Sequence, residues 1–155
     1  IEVGMSEFQF AMCGSKIVTT RAQAQMSLPY AMAARLHYGK VFLDELANNA
    51  WEAPEIAGWL EKMTIAIDKA MADEDEPEIR IITHRGEQYR QVVEAPLGGP
   101  DNPLSVEQIT DKYHDLCKGI LPRTQLDAIR QLILTLERIA DVRALLPLLQ
   151  SPMRN

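Results

Sequence analysis

The chain has 155 residues, 46% of them hydrophobic and 25% charged, which is enough for about one globular unit with a real core and is unlike a disordered sequence. Its formal charge of −6 excludes the basic surface with which nucleic-acid binders neutralise phosphates, so no nucleic acid is expected as partner. No apolar run approaches the ~20 residues that cross a bilayer, so no membrane association is expected.

In chain order, Ile1, Val3 and Met5 alternate with polar or small residues, predicting a strand that leads into an irregular segment to about residue 12. Ser27 then caps a helix. Pro29 sits in its first turn, Leu28, Ala31, Met32 and Leu36 recur at helical spacing, and Gly39 ends it. Leu43 to Ala50 reads as a short helix, and Pro54 starts another with Ile56, Trp59, Leu60 and Met63 on one stripe. At Met63 the period becomes two, with Ile65 and Ile67 continuing a half-buried strand. The acidic run 72–77 breaks it and reads as a solvated loop. Residues 78–83 and 87–95 form a hairpin around His84-Arg85-Gly86, where Gly86 supplies the positive φ of a tight turn.

Prolines and glycines at 96–103 allow neither helix nor central strand. Ser105 and Gln108 make a capping box for a helix closed by Gly119, with Val106, Ile109, Tyr113, Leu116 and Cys117 on its buried face. Pro122 and Thr124 open a longer helix running through Leu126, Ile129, Ile133, Leu136 and Ala140, and Asp141 caps a last short helix that contains Pro147. These terminal helices are apolar enough to belong with a helical domain lying elsewhere. The expected class is therefore α+β, a small antiparallel sheet packed with helices and followed by C-terminal helices.

Chemistry-bearing motifs are scarce. There is no GxSxG elbow, HExxH helix, P-loop or GxGxxG fingerprint. His37, His84 and His114 are scattered without metal-ligand spacing, and Cys13 and Cys117 lie in no Cys/His cluster, so neither a metal nor a disulfide is expected. Reduced thiols and the lack of a recognisable leader near Ile1 predict a cytoplasmic protein. A chain opening on Ile1-Glu2-Val3 without methionine reads as a piece of a longer polypeptide. One stretch stands apart: between Phe8 and Leu43 there is no Asp or Glu, while Lys16, Arg21, Arg35 and Lys40 are basic, with His37 beside them. Guanidinium forks there, with the N-terminal amides of the Ser27 helix, suit a carboxylate; pairing with acidic loops or another domain is the alternative use.

Residues Gln25-Met26-Ser27-Leu28-Pro29-Tyr30-Ala31-Met32-Ala33, Gly39-Lys40-Val41, His84-Arg85-Gly86, Asn102-Pro103-Leu104-Ser105 and Lys112-Tyr113, in this order, resemble the MmgE/PrpD pattern over about residues 1–150. The family contains 2-methylcitrate dehydratase and cis-aconitate decarboxylase. The resemblance implies a smaller α+β lid domain, here about residues 1–118, followed by terminal helices over 119–155 that pack on the lid or return to a larger helical domain. It further implies dehydration, decarboxylation or epimerisation of small di- or tricarboxylic acids without a required metal or other cofactor, in a homodimer. The family's acid/base residues lie mainly in preceding sequence, and its lysine/histidine motif upstream of the first strand has no counterpart here. No catalytic residue is therefore assigned, and the chain is not expected to be catalytically complete. Arg21, Ser27, Tyr30 and Arg35 are the expected substrate-binding residues, in a portion of a lyase or isomerase. A non-catalytic α+β ligand-binding or dimerisation module is the competing reading.

Overall fold

The structure is a computed structural model that describes residues 1–150. Two compact units divide the chain, Ile1–Glu94 and Ala95–Asn155. The helix Val106–Cys117 (α5) is tied to the helix Arg123–Leu134 (α6), which keeps both in one unit.

In the first unit, β1 (Glu2–Met5) lies between β2 (Thr64–Ile67) and β3 (Glu78–Ile82), and β4 (Gln88–Val92) completes the order β2-β1-β3-β4. The class is α+β, as expected, but the sheet is mixed rather than antiparallel. β1 and β2 run parallel with Val3 opposite Ile65, while β1–β3 and β3–β4 are antiparallel. A parallel pair needs a long crossover, and the helices between residues 7 and 61 provide it. The β3–β4 hairpin turns where the sequence predicts it, with Gly86 at φ 81°.

The crossover holds α1 (Glu7–Cys13), α2 (Arg21–Met26), α3 (Leu28–Tyr38) and α4 (Pro54–Glu61). α1 replaces the expected irregular segment. Its reason is local: the Ser6 hydroxyl accepts from Gln9 N, while the Gln9 side chain reaches back to Ser6 N, a capping box. Thr20 caps α2 by accepting from Gln23 N, while the Gln23 side chain accepts from Thr19 rather than completing a box. The expected Leu43–Ala50 helix is instead two 3-10 turns, Asp44–Leu46 and Ala50–Glu52, because Asn48 and Asn49 both take left-handed φ, 50° and 57°. The core gathers Tyr30, Ala33 and Ala34 of α3 with Ala24, Trp51, Ile56 and Met63. Val3 and Met5 are buried as the alternation predicts, but Ile67 is exposed at the end of edge strand β2.

In the second unit, Ser105 and Gln108 make the predicted capping box of α5, and Gly119 follows at φ 77°. α6 is shorter than the predicted 122–140 helix. Thr135 Oγ1 donates to Gln131 O, an i−4 bond that competes with the ladder, and a 3-10 turn Leu136–Arg138 follows. The final segment, Val142–Leu149, is 3-10 helix capped by Asp141, with Pro147 inside it. Leu126 and Ile129 are buried, and Tyr113 donates to Leu126 O at 3.1 Å. Arg130 Nε donates to Thr110 Oγ1 at 3.0 Å, and His114 Nε2 lies 3.1 Å from Asp127 Oδ1. Val106, Ile109, Ile133 and Leu134 are nonetheless exposed and line an apolar groove of about 240 Å³ with Thr110, Tyr113 and Arg130. Residues 151–155, part of the expected C-terminal helical region, lie outside the described residues.

Candidate functional site

The α2–Ser27–α3 element carries all four expected binding residues, which the structure places in two kinds of environment. Arg21 opens α2 and is exposed, and its side chain makes no hydrogen bond or ion pair among the described residues. Arg35, in the last turn of α3, is exposed and donates from Nη1 to Gly39 O, helping to close the helix C-terminus. A guanidinium has five N–H donors, so most of its capacity stays available to an anion.

Ser27 and Tyr30 are buried. The Ser27 hydroxyl accepts from Tyr30 N at 3.0 Å and donates to Ser15 O at 2.6 Å, joining the α3 cap to the 14–17 loop. Tyr30 donates its hydroxyl to Glu45 O. Burial, with Tyr38 and Glu45 nearby, pushes the Tyr30 phenol above its usual range, so it is an O–H donor rather than a phenolate at neutral pH. The first turn of α3 is thus largely occupied by the protein itself, and the open cationic groups lie elsewhere on the two helices.

The other members of the basic stretch are partly engaged. Lys16 Nζ donates to Leu60 O at 3.0 Å and Met63 O at 3.1 Å, neutralising the C-terminal end of α4. Lys40 Nζ stands 4.0 Å from carboxylate oxygens of both Asp44 and Glu45. His37 packs its ring edge against Tyr38. Pairing with acidic residues therefore describes Lys40, whereas among the described residues Arg21 and Arg35 hold no carboxylate. Among the described residues no three His, Cys, Asp or Glu side chains are grouped to hold a metal ion, and Cys13 and Cys117 are free thiols. Burial raises the Cys13 thiol, whose Sγ donates to Gln9 O.

Glu45 is the residue that sequence reasoning passed over. In an acidic chain an Asp-Glu pair reads as solvated surface, and no local pattern marks Glu45 as the buried member. Its carboxylate accepts from Phe42 N at 2.8 Å while its own carbonyl receives the Tyr30 hydroxyl.

The model of the MmgE/PrpD C-terminal domain matches residues 1–138. The chain belongs to this family. It is 29% identical over 162 aligned positions to a cis-aconitate decarboxylase-like protein of Aspergillus oryzae, covering 99% of this chain and 33% of that protein. A cis-aconitate decarboxylase of Aspergillus terreus is 28% identical over 138 positions, covering 84% of this chain and 28% of its own length. The chain thus spans about a third of the curated relatives it matches. No helix among the described residues is long and apolar enough to cross a membrane.

Proposed function

We propose that this chain is the C-terminal portion of a lyase or isomerase acting on small di- or tricarboxylic acids. Its first unit would serve as a lid, and its second would pack on a helical domain in sequence it does not span. The supporting observation is the family match across residues 1–138, joined to relatives named for decarboxylation of cis-aconitate. Elimination of water, as in 2-methylcitrate dehydratase, and epimerisation remain within the same proposal. All three reactions pass electron density into a carboxylate, which calls for fixed cations or hydrogen-bond donors where the charge develops. Arg21 and Arg35 are this chain's contribution, as exposed guanidinium groups that hold no carboxylate among the described residues of an acidic protein. Ser27 and Tyr30 belong to the same proposed site through the helix they cap and anchor.

The exposed apolar groove of α5 and α6 favours this reading over a self-contained ligand-binding module. Large apolar side chains at the centre of a helical hairpin lose free energy in water and find use only against another surface. A homodimer and a cytoplasmic location are part of the proposal. The test is Arg21→Glu with Arg35→Glu in the complete enzyme. A drop in kcat/KM of at least about tenfold for cis-aconitate or 2-methylcitrate is expected from loss of charged hydrogen bonds. Unchanged kcat/KM with both acids removes these arginines from the site.

A further inference from the structure

Between α3 and the turn before α4, the chain crosses Tyr30 in a short segment with an unusual pair of ends. Gly39 has φ 78°, and Asn48 and Asn49 have φ 50° and 57°, so left-handed residues bracket 40–47 on both sides. Left-handed backbone is where a chain reverses direction without committing neighbouring residues to helix or sheet. Inside the bracket, regular structure is slight. Leu46 N to Leu43 O and Ala47 N to Asp44 O are both 3.2 Å, the bonds of a single 3-10 turn.

Tyr30 of α3 holds this segment by its backbone, donating to Glu45 O, while Tyr38 donates to Ala50 O at 3.3 Å, beyond the asparagines and outside the segment. Val41 and Leu46 rest against the core. What shapes the middle is one side chain. The Glu45 carboxylate, 8% exposed, folds back to accept from Phe42 N, and its nearest cation, Lys40 Nζ, stands off at 4.0 Å. That one hydrogen bond from Phe42 N, with Lys40 at the edge of ion-pair distance, is the side-chain tie that holds the middle of the segment closed, far fewer contacts than hold the core below it. The Asp44–Leu46 turn of the segment packs against α2, which carries Arg21, and is tied through Glu45 O to Tyr30 of α3, which carries Arg35.

We propose that residues 40–47 are a strap over Tyr30, hinged at Gly39 and at Asn48–Asn49 and latched by the Glu45 carboxylate, and that its release uncovers the Tyr30 hydroxyl. Release breaks the bond to Glu45 O and leaves a neutral phenol O–H as a free donor beside the two arginine-bearing helices. What that donor then meets, a substrate carboxylate, rests on the function proposed above; the strap itself does not.

Hydrogen–deuterium exchange of the 155-residue chain, read by peptide mass spectrometry, tests it. The amides of Phe42, Leu46 and Ala47 are expected to exchange at least about tenfold faster than those of 33–36 in α3, as befits opening without unfolding. Glu45→Gln, which keeps the shape and weakens the latch, is expected to speed exchange over 42–47 by roughly tenfold while leaving α3 and α6 unchanged. Lys40→Gln, an exposed substitution that leaves the fold alone, acts in the same direction and keeps the test available if the Glu45 variant is unstable. Nitration of Tyr30 by tetranitromethane, with exposed Tyr89 as internal standard, should accelerate in step. Exchange of 42–47 at the rate of α3 in the wild type overturns the strap, as does a Glu45→Gln effect spread evenly over all segments. Adding citrate separates the two ideas. An independently opening strap whose exchange citrate leaves unchanged keeps the device and counts against the carboxylate site, whereas a strap that opens only with α3 fails whatever citrate does.

Discussion

The apolar groove of the second unit allows a quantitative prediction. Val106, Ile109, Ile133 and Leu134 are 59%, 54%, 53% and 50% exposed, so each has about half of its side chain still in water. Full burial of such a side chain contributes about 1.5–3 kcal/mol, so covering the remaining half contributes roughly 0.8–1.5 kcal/mol per residue. Across the four residues this is about 3–6 kcal/mol of docking free energy, a factor of about 10² to 10⁴ in an association constant. The perturbation is Ile109→Asp with Ile133→Asp. In the 155-residue chain both positions face solvent, so the midpoint of urea unfolding should move by no more than about 0.5 kcal/mol-equivalent per site. Binding of a hydrophobic dye and any self-association should fall. In the longer polypeptide proposed above, the same pair buries two charges at a helix interface, and stability should drop by several kcal/mol with loss of activity. Equal destabilisation of the chain and the longer polypeptide would show that the groove is ordinary core and refute the reasoning.

Two further outcomes follow from particular contacts. Ser27→Ala removes both the cap of α3 and the bond to Ser15 O, and should lower the stability of the first unit by about 1–2 kcal/mol in a denaturant melt, while Ser27→Thr recovers part of it; an unchanged melt refutes the structural role. The Arg90 guanidinium, hydrogen-bonded to both oxygens of Glu78 at 2.6 and 2.7 Å, holds that carboxyl below its usual range. With the folded value depressed, the stabilisation is present above the ordinary glutamate range and is lost as pH falls through the folded value. Protection of β3 and β4 amides should therefore weaken on acidification in wild type, and this component should vanish in Glu78→Gln; identical acid profiles would contradict it.

Much of the fold was written in local pattern. The hairpin around Gly86, the Ser105–Gln108 capping box and the Ser27 cap need only neighbouring residues, and each stands where the sequence places it. α1 was equally legible, since Ser6 and Gln9 carry the same box as Ser105 and Gln108, yet the alternation before it drew the segment towards an irregular reading. The parallel pairing of β1 with β2 was not legible: partner choice across a 58-residue separation depends on how the crossover helices pack, which alternation within a strand does not encode.

For the candidate site, the sequence by itself determined that the basic residues cluster between Phe8 and Leu43 and that Arg35 sits on the helix begun at Ser27, whereas the helix carrying Arg21 came only from the structure. It also determined the family, because ordered short motifs persist when their separate signals are weak. Only the tertiary structure decided which polar groups remain available. Ser27, Tyr30 and Lys16 spend their hydrogen bonds on Ser15 O, Glu45 O and the carbonyls ending α4, while Arg21 spends none among the described residues. It likewise turned Glu45 from an apparent surface acid into a buried one. The reason is that a hydrogen bond depends on distance and direction between groups brought together by folding, and residues 12, 15 and 44 positions apart acquire those only in three dimensions.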